Sequence, residues 1–141
     1  MTEAPASRVV AELLGIDEGE TVFVRRRRIT LSDDAVPDVP LQLADSYLPL
    51  DIAQGRIRDA DAGPGGTYAR IEDLGHALTR FEEKHWPRPA TDHERAQLEL
   101  DAGDHVIELH RVAYAGDRAV ECFVSAMAGK RHRFEYAVAA D

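Results

Sequence analysis

The sequence predicts an α+β domain: an antiparallel β-sheet with flanking helices, built from two related halves. Three observations carry this. Short segments with helical apolar spacing and helix-end signals alternate with runs rich in β-branched residues. Clusters of Gly, Asp and Pro separate these runs at hairpin spacing. One segment order also occurs twice, at an offset of 84 residues.

The elements follow in order. "SRVVAELLG" places Val9, Val10, Leu13 and Leu14 on one helical face, with Gly15 to stop it. "IDEGE" is a turn, and "TVFVRRRRITL" reads as a strand. "SDDAVPDVP" is expected to be a polar turn, and "PLQLADSYLPL" a second strand ending at Pro49. "GRIRDADAGPGG" reads as a loop, followed by a short helix "TYARIEDLG" with Thr67 as N-cap. "HALTRFEEKHWPRPA" reads as a strand with a long exit. "TDHERAQLEL" opens with a capping box, Thr91 and Glu94. "HVIELHRVAY" and "RAVECFVSAMA" form a hairpin around "AGD", and "HRFEYAV" reads as a last strand. Residues 1–7 are expected to be a linker or disordered start, and residues 8–141 the domain.

The repeat compares "LLGIDEGETVFVRRRR" with "LELDAGDHVIELHR". Leu14 meets Leu98, Asp17 meets Asp101, Gly19 meets Gly103, Val22 meets Val106 and Arg27 meets Arg111. After a five-residue slip in the hairpin, "PLQLADSY" lies against "AVECFVSA" and Ser46 falls on Ser125. Each half reads helix, Asp-x-Gly-acid turn, strand, hairpin, strand. The implied arrangement is two β-hairpins related by a pseudo-twofold in one sheet.

Composition narrows function. The chain has 141 residues, enough for one domain with one core. Asp plus Glu number 26 against 17 Lys plus Arg, for a formal net charge of −9. That balance argues against a nucleic-acid surface on this chain. The apolar runs are too short to span a bilayer, and "MTEAPAS" is no signal peptide. One cysteine, Cys122, excludes an internal disulfide and fits a cytoplasmic setting, where it reads as a packed thiol. The six histidines show no helical His-x-x-x-His pair, so no metal site is expected. No cofactor is implied.

Four arginines, Arg25 to Arg28, interrupt this acidic chain. Strand alternation puts Arg25 and Arg27 on one face with Phe23, Ile29 and Leu31, and Arg26 and Arg28 on the other with Val22 and Val24. An arginine on a largely apolar face needs a partner. For Arg27 that partner is either an internal carboxylate such as Glu121 or an anionic ligand gripped by the guanidinium fork. Arg26 and Arg28 read as solvated or dimer-facing.

Five segments in order, "VAELLGIDEGETVFVRRRRITL", "PLQLADSYLP", "GPGGTYARIEDLG", "LELDAGDHVIELHRVAY" and "AVECFVSAMAGKRHRF", resemble the UTRA effector-binding domain of GntR-type transcription regulators of the HutC branch. The resemblance spans roughly residues 8 to 138. It implies a chorismate-lyase-like fold, a small-molecule effector that is often anionic, and a homodimer. It also implies that operator DNA is contacted only through a winged helix-turn-helix domain missing here. Carried onto this chain, the ligand site draws on Arg25 and Arg27, the turn Gly65, Gly66, Thr67 and Tyr68, the acid Glu121, and the strand end at Ser125 and Met127. Glycines before a helix N-terminus independently suit an anion. The sequence departs from the family at Ile29, where some members carry a second arginine, and at Met127, Lys130 and His132. Ile29 and Met127 point toward a less charged or more apolar effector. Two other readings stand beside this one: a small stand-alone enzyme of the same fold, with Glu121 as acid or base, and a purely structural dimerisation module. The non-enzyme sensor is the expected function.

Overall fold

The computed structural model describes residues 2–33 and 36–141. Six antiparallel strands form one sheet: β1 (Thr2–Pro5), β2 (Thr21–Asp33), β3 (Val36–Pro49), β4 (Arg80–Pro89), β5 (His105–Ala115) and β6 (Arg118–Ala128), in the order β1-β2-β3-β6-β5-β4. Helices α1 (Arg8–Leu14), α2 (Gly66–Asp73) and α3 (Asp92–Leu98) flank it, with single 3-10 turns at Gly55–Arg58 and Gly129–Arg131.

Local chemistry sets the helix ends. Ser7 caps α1 by accepting from the Val10 amide at 3.3 Å, and Gly15 closes it in the left-handed region at φ 66°. Thr91 and Glu94 form the expected capping box on α3. Both helices pack on the sheet face formed by Val22, Val24, Val106, Val112 and Cys122. Val10, Ala11 and Leu14 close one cluster there, and Leu98, with Ala126 and Leu43, closes the other. Each fully buried Leu or Val contributes about 1.5–3 kcal/mol, so helices this short are held mainly by that contact. The opposite face is covered over one half by the segment between β3 and β4. Ile52, Ile57 and Ile71 pack there on Phe23, Leu48, Ala113 and Val120.

The internal duplication is written in the register. Val24 pairs with Thr2 and Val22 with Ala4; 84 residues on, Glu108 pairs with Trp86 and Val106 with Arg88. The Ala6 amide donates to Glu20 O, and the Ala90 amide to Asp104 O. Gly19 and Gly103 take φ 88° and 85° in equivalent turns. Even the irregularities repeat: Leu41 is the extra residue beside Ile29 in β3, and Val120 the extra residue beside Ala113 in β6. The pseudo-twofold passes through the central pair Asp45 and Val124.

Four expectations are corrected. Residues 2–5, expected as linker or disordered start, form edge strand β1, because β2 offers them a ladder that local sequence does not advertise. The polar turn "SDDAVPDVP" is largely strand, since β2 and β3 extend into it; Asp34 and Ala35 lie outside the described residues. Thr67 does not cap α2. Gly65, at φ 82°, holds the N-cap position, and Thr67 lies within the helix. "HRFEYAV" forms no strand and pairs with none of this chain's strands among the described residues.

Candidate functional site

Beside the apolar cluster on the α2 side of the sheet lies a recess of about 270 Å³, lined by Arg27, Ser46, Gly65, Gly66, Thr67, Tyr68, Arg111, Glu121 and Phe123. Four strands supply its floor. β2 presents Arg27, β3 Ser46, β5 Arg111 and β6 Glu121 and Phe123, and the start of α2 forms a wall.

The two charged groups at its centre are in contrasting states. Arg27 makes no hydrogen bond or ion pair among the described residues, and its side chain is exposed to the recess. Glu121 is 2% exposed, and its Oε1 has no hydrogen-bond partner among the described residues. It follows the β6 bulge at Val120, a device that re-aims side chains beside functional sites. Burial pushes its carboxyl up to about 7, against the opposing pull of Arg111, of a hydrogen bond from Tyr68 and of Arg27. Burial, with Glu121 adjacent, likewise raises the Tyr68 phenol to about 12. Arg111 is anchored: Nε donates to Glu83 Oε1 at 2.6 Å, and its guanidinium lies 5.5 Å from the Phe123 ring centre.

The predicted residues divide. Arg27, Gly65, Gly66, Thr67, Tyr68 and Glu121 come together in the recess. Arg25 shares the face of Arg27 but is 6% exposed and braces the wall from behind. Its Nη1 donates to Thr67 Oγ1 at 3.2 Å, and its Nη2 to the carbonyls of Ile57 and of Asp59, the latter at 2.6 Å. Desolvation by burial lowers the Arg25 pKa. Ser125 lies outside the recess, donating to Gln42 Oε1 at 2.7 Å. Met127 is buried opposite Gln42 near the far end of β6, so it has no part in the recess. The Arg27–Glu121 ion pair weighed above does not form. Arg26 and Arg28 face the other side and meet Asp45 at 3.5 Å and Glu99 at 3.9 Å. Arg111, Ser46 and Phe123 were not foreseen, although the repeat aligned Arg111 with Arg27 and Ser46 with Ser125.

A larger recess, about 460 Å³, lies on the other face and is lined by Arg26, Arg28, Asp45, Arg88, Glu94 and Glu108 among others. Most of its charges are paired: Arg88 reaches Glu94 and Glu108, both at 2.7 Å, and Arg26 faces Asp45. Arg27 and the predicted Ser125 also reach its lining, so Arg27 borders both recesses. Among the described residues no cluster of His, Cys, Asp and Glu is arranged to hold a metal ion.

A profile of the UTRA domain matches residues 1–133. The chain belongs to the UTRA domain family. This UTRA domain is 29% identical over 140 residues to an uncharacterized HTH-type transcriptional regulator of Streptomyces coelicolor, covering 96% of this chain and 51% of that protein. The chain thus spans about half the length of the curated relative it matches. It superposes on the effector domain of PhnF from Mycobacterium smegmatis with a TM-score of 0.79 and 29% identity, covering 99% of this chain and 83% of that one. It also superposes on the C-terminal domain of the histidine utilization repressor from Pseudomonas syringae pv. tomato with a TM-score of 0.78, covering 99% and 94%. At 24% identity that last likeness bears on the fold alone. The α+β antiparallel architecture is shared throughout, and the domain is of the regulator effector type.

Proposed function

We propose that this UTRA domain binds a small-molecule effector in the recess between Arg27 and the Gly65–Tyr68 wall, and that occupancy is coupled to operator binding by a DNA-binding domain outside this chain. The observation that carries the reading is the unpartnered Arg27 guanidinium beside a buried carboxyl with an unsatisfied oxygen. Arg27 suits a carboxylate or phosphate. Glu121 suits a hydroxyl or ammonium donor, which would fill its vacant hydrogen bond. Ser46 and Thr67 supply further polar contacts. The effector is therefore an anionic compound with a polar body. With Met127 remote, the case for a more apolar effector rests on Ile29 alone. The protein acts as a homodimer in the cytoplasm, where operator DNA lies. Among the described residues no helix is long and apolar enough to cross a membrane. Catalysis is no part of the reading.

Native mass spectrometry of the protein after exposure to host extract tests this. The expected result is a reproducible bound mass in the wild type that Arg27→Ala loses while its thermal unfolding stays unchanged. Retention of the same mass by Arg27→Ala would place the ligand elsewhere. Turnover of the bound compound would favour the enzyme reading.

A further inference from the structure

Residues 132–141 form the one strand-patterned stretch that the sheet of this chain does not take up among the described residues. Their root is fixed. Arg131 Nη1 donates to Pro40 O at 2.8 Å and Leu98 O at 2.6 Å, and its Nη2 to Glu99 O at 3.0 Å. Beyond it His132 is extended at φ −125° and ψ 140°, and Phe134 stacks on His85 of β4 with centroids 5.5 Å apart. Alternation puts Phe134, Tyr136 and Val138 on one side, and they are 42%, 71% and 87% exposed. Arg133 and Glu135 share the other side, 2.6 Å apart. Large apolar side chains alternating along an unpaired backbone are a template for another strand.

We propose that residues 132–136 pair antiparallel with the same segment of a second copy of this chain, in a register centred on Phe134. The segment is self-complementary in that register. Arg133 falls opposite Glu135 of the partner subunit, and Glu135 opposite Arg133 of the partner subunit, giving two ion pairs from one two-residue motif. His132 falls opposite Tyr136 of the partner subunit, and the two Phe134 rings meet on the dyad. A register centred on Glu135 would instead oppose two carboxylates. The free edge of β4 is a poor competitor. Pro87 and Pro89 lack amide donors, and Arg80, Glu82, Glu83 and Lys84 charge the rest. The inference rests on the two-copy reading above and names its interface.

The test uses the full chain. Light scattering and sedimentation give the oligomeric state, and mild oxidation of Phe134→Cys gives the register. A central pair sits close enough for a disulfide, so Phe134→Cys is expected to form a covalent dimer while Tyr136→Cys does not. The native Cys122 is 0% exposed and stays silent. Arg133→Glu and Glu135→Arg are each expected to weaken self-association roughly tenfold, and the double charge swap to restore it. A monomer at every concentration would overturn both this interface and the two-copy reading. A dimer that survives removal of residues 132–141, or in which Phe134→Cys fails to cross-link, would overturn the interface and leave the two-copy reading standing.

Discussion

The repeat contains a substitution that nature has already made. In the first half, Ala4 on β1, Val10 on α1 and Val24 on β2 pack together on the helix-bearing face. Advancing each by 84 residues gives Arg88, Glu94 and Glu108, which form an ionic triad in the same place. Arg88 grips Glu94 through two hydrogen bonds of 2.7 Å and reaches Glu108 at 2.7 Å. The Glu94 carboxyl is held below its usual range, first by that hydrogen bond from Arg88. Its side chain is 10% exposed, that of Glu108 21% and that of Arg88 28%. Removing one member of a buried pair costs about 3–5 kcal/mol, because the remaining charge is stranded. With Arg88 more than a quarter exposed, we expect Arg88→Met to cost about 2–4 kcal/mol. Replacing all three by apolar residues of similar volume (Arg88→Met, Glu94→Met, Glu108→Leu) is expected to fall within about 1 kcal/mol of the wild type, since desolvation of the ions offsets most of their attraction. Loss of the capping box, about 1 kcal/mol, lies inside that margin. Urea unfolding followed by circular dichroism measures both variants. Acid should separate the wild type and the triple variant as well. A depressed Glu94 pKa gives stability that is present above the ordinary glutamate range and lost as pH falls through the folded value, so the wild type should lose more stability on acidification than the triple variant. If the triple variant is as unstable as Arg88→Met, the reasoning fails, because the ions would then contribute more than packing can replace.

Glu121→Gln should stabilise the protein increasingly between about pH 4.5 and 7, by on the order of 3 kcal/mol at most, because the raised carboxyl pKa costs folding stability as pH rises toward the folded value; unfolding free energies at pH 4.5 and 7.5 that change equally in both proteins would contradict it. Arg25→Met should cost about 2–3 kcal/mol, by stranding the carbonyls of Ile57 and Asp59, and should weaken effector binding through the loosened wall, as chemical denaturation and calorimetry would show. Gly65→Ala should impair binding, since its Cβ would meet Ala69 Cβ at 2.6 Å at a φ of 82°; unchanged affinity would show that the wall is not needed. Glu99→Gly should stabilise by about 1 kcal/mol, because Glu99 sits at φ 51° where its counterpart Gly15 carries no such cost; a lower midpoint in urea would give the weight to the 3.9 Å contact with Arg28 instead.

What the sequence revealed was local or periodic. The caps of α1 and α3 depend on side chains within four residues, so Gly15 and the Thr91–Glu94 box were readable, while the equally local Ser7 cap was passed over. Strand parity correctly put Arg25 and Arg27 on one face. It could not show that the carbonyls of Ile57 and Asp59 claim Arg25, because the path of the segment between β3 and β4 is set by tertiary packing of Ile52, Ile57 and Ile71. β1 escaped notice because "TEAP" has little strand propensity and owes its conformation to β2. Thr67 looked like an N-cap on residue type, but two positive-φ glycines start α2 earlier. The repeat was visible, and its full use would have brought Arg111 and Ser46 into the site beside Arg27.

A duplicated backbone separates what a fold requires from what a site requires. Where the halves agree, at Asp17 and Asp101, Gly19 and Gly103, or Ser7 and Thr91, the shared residue answers to geometry common to both. Where they part, at Arg25 and Leu109 or at Gln42 and Glu121, the same backbone position has been put to two uses, and one half serves as the other's internal reference. A mutation at any such position can be read against a sibling that holds the equivalent place on the related strand, within the same molecule.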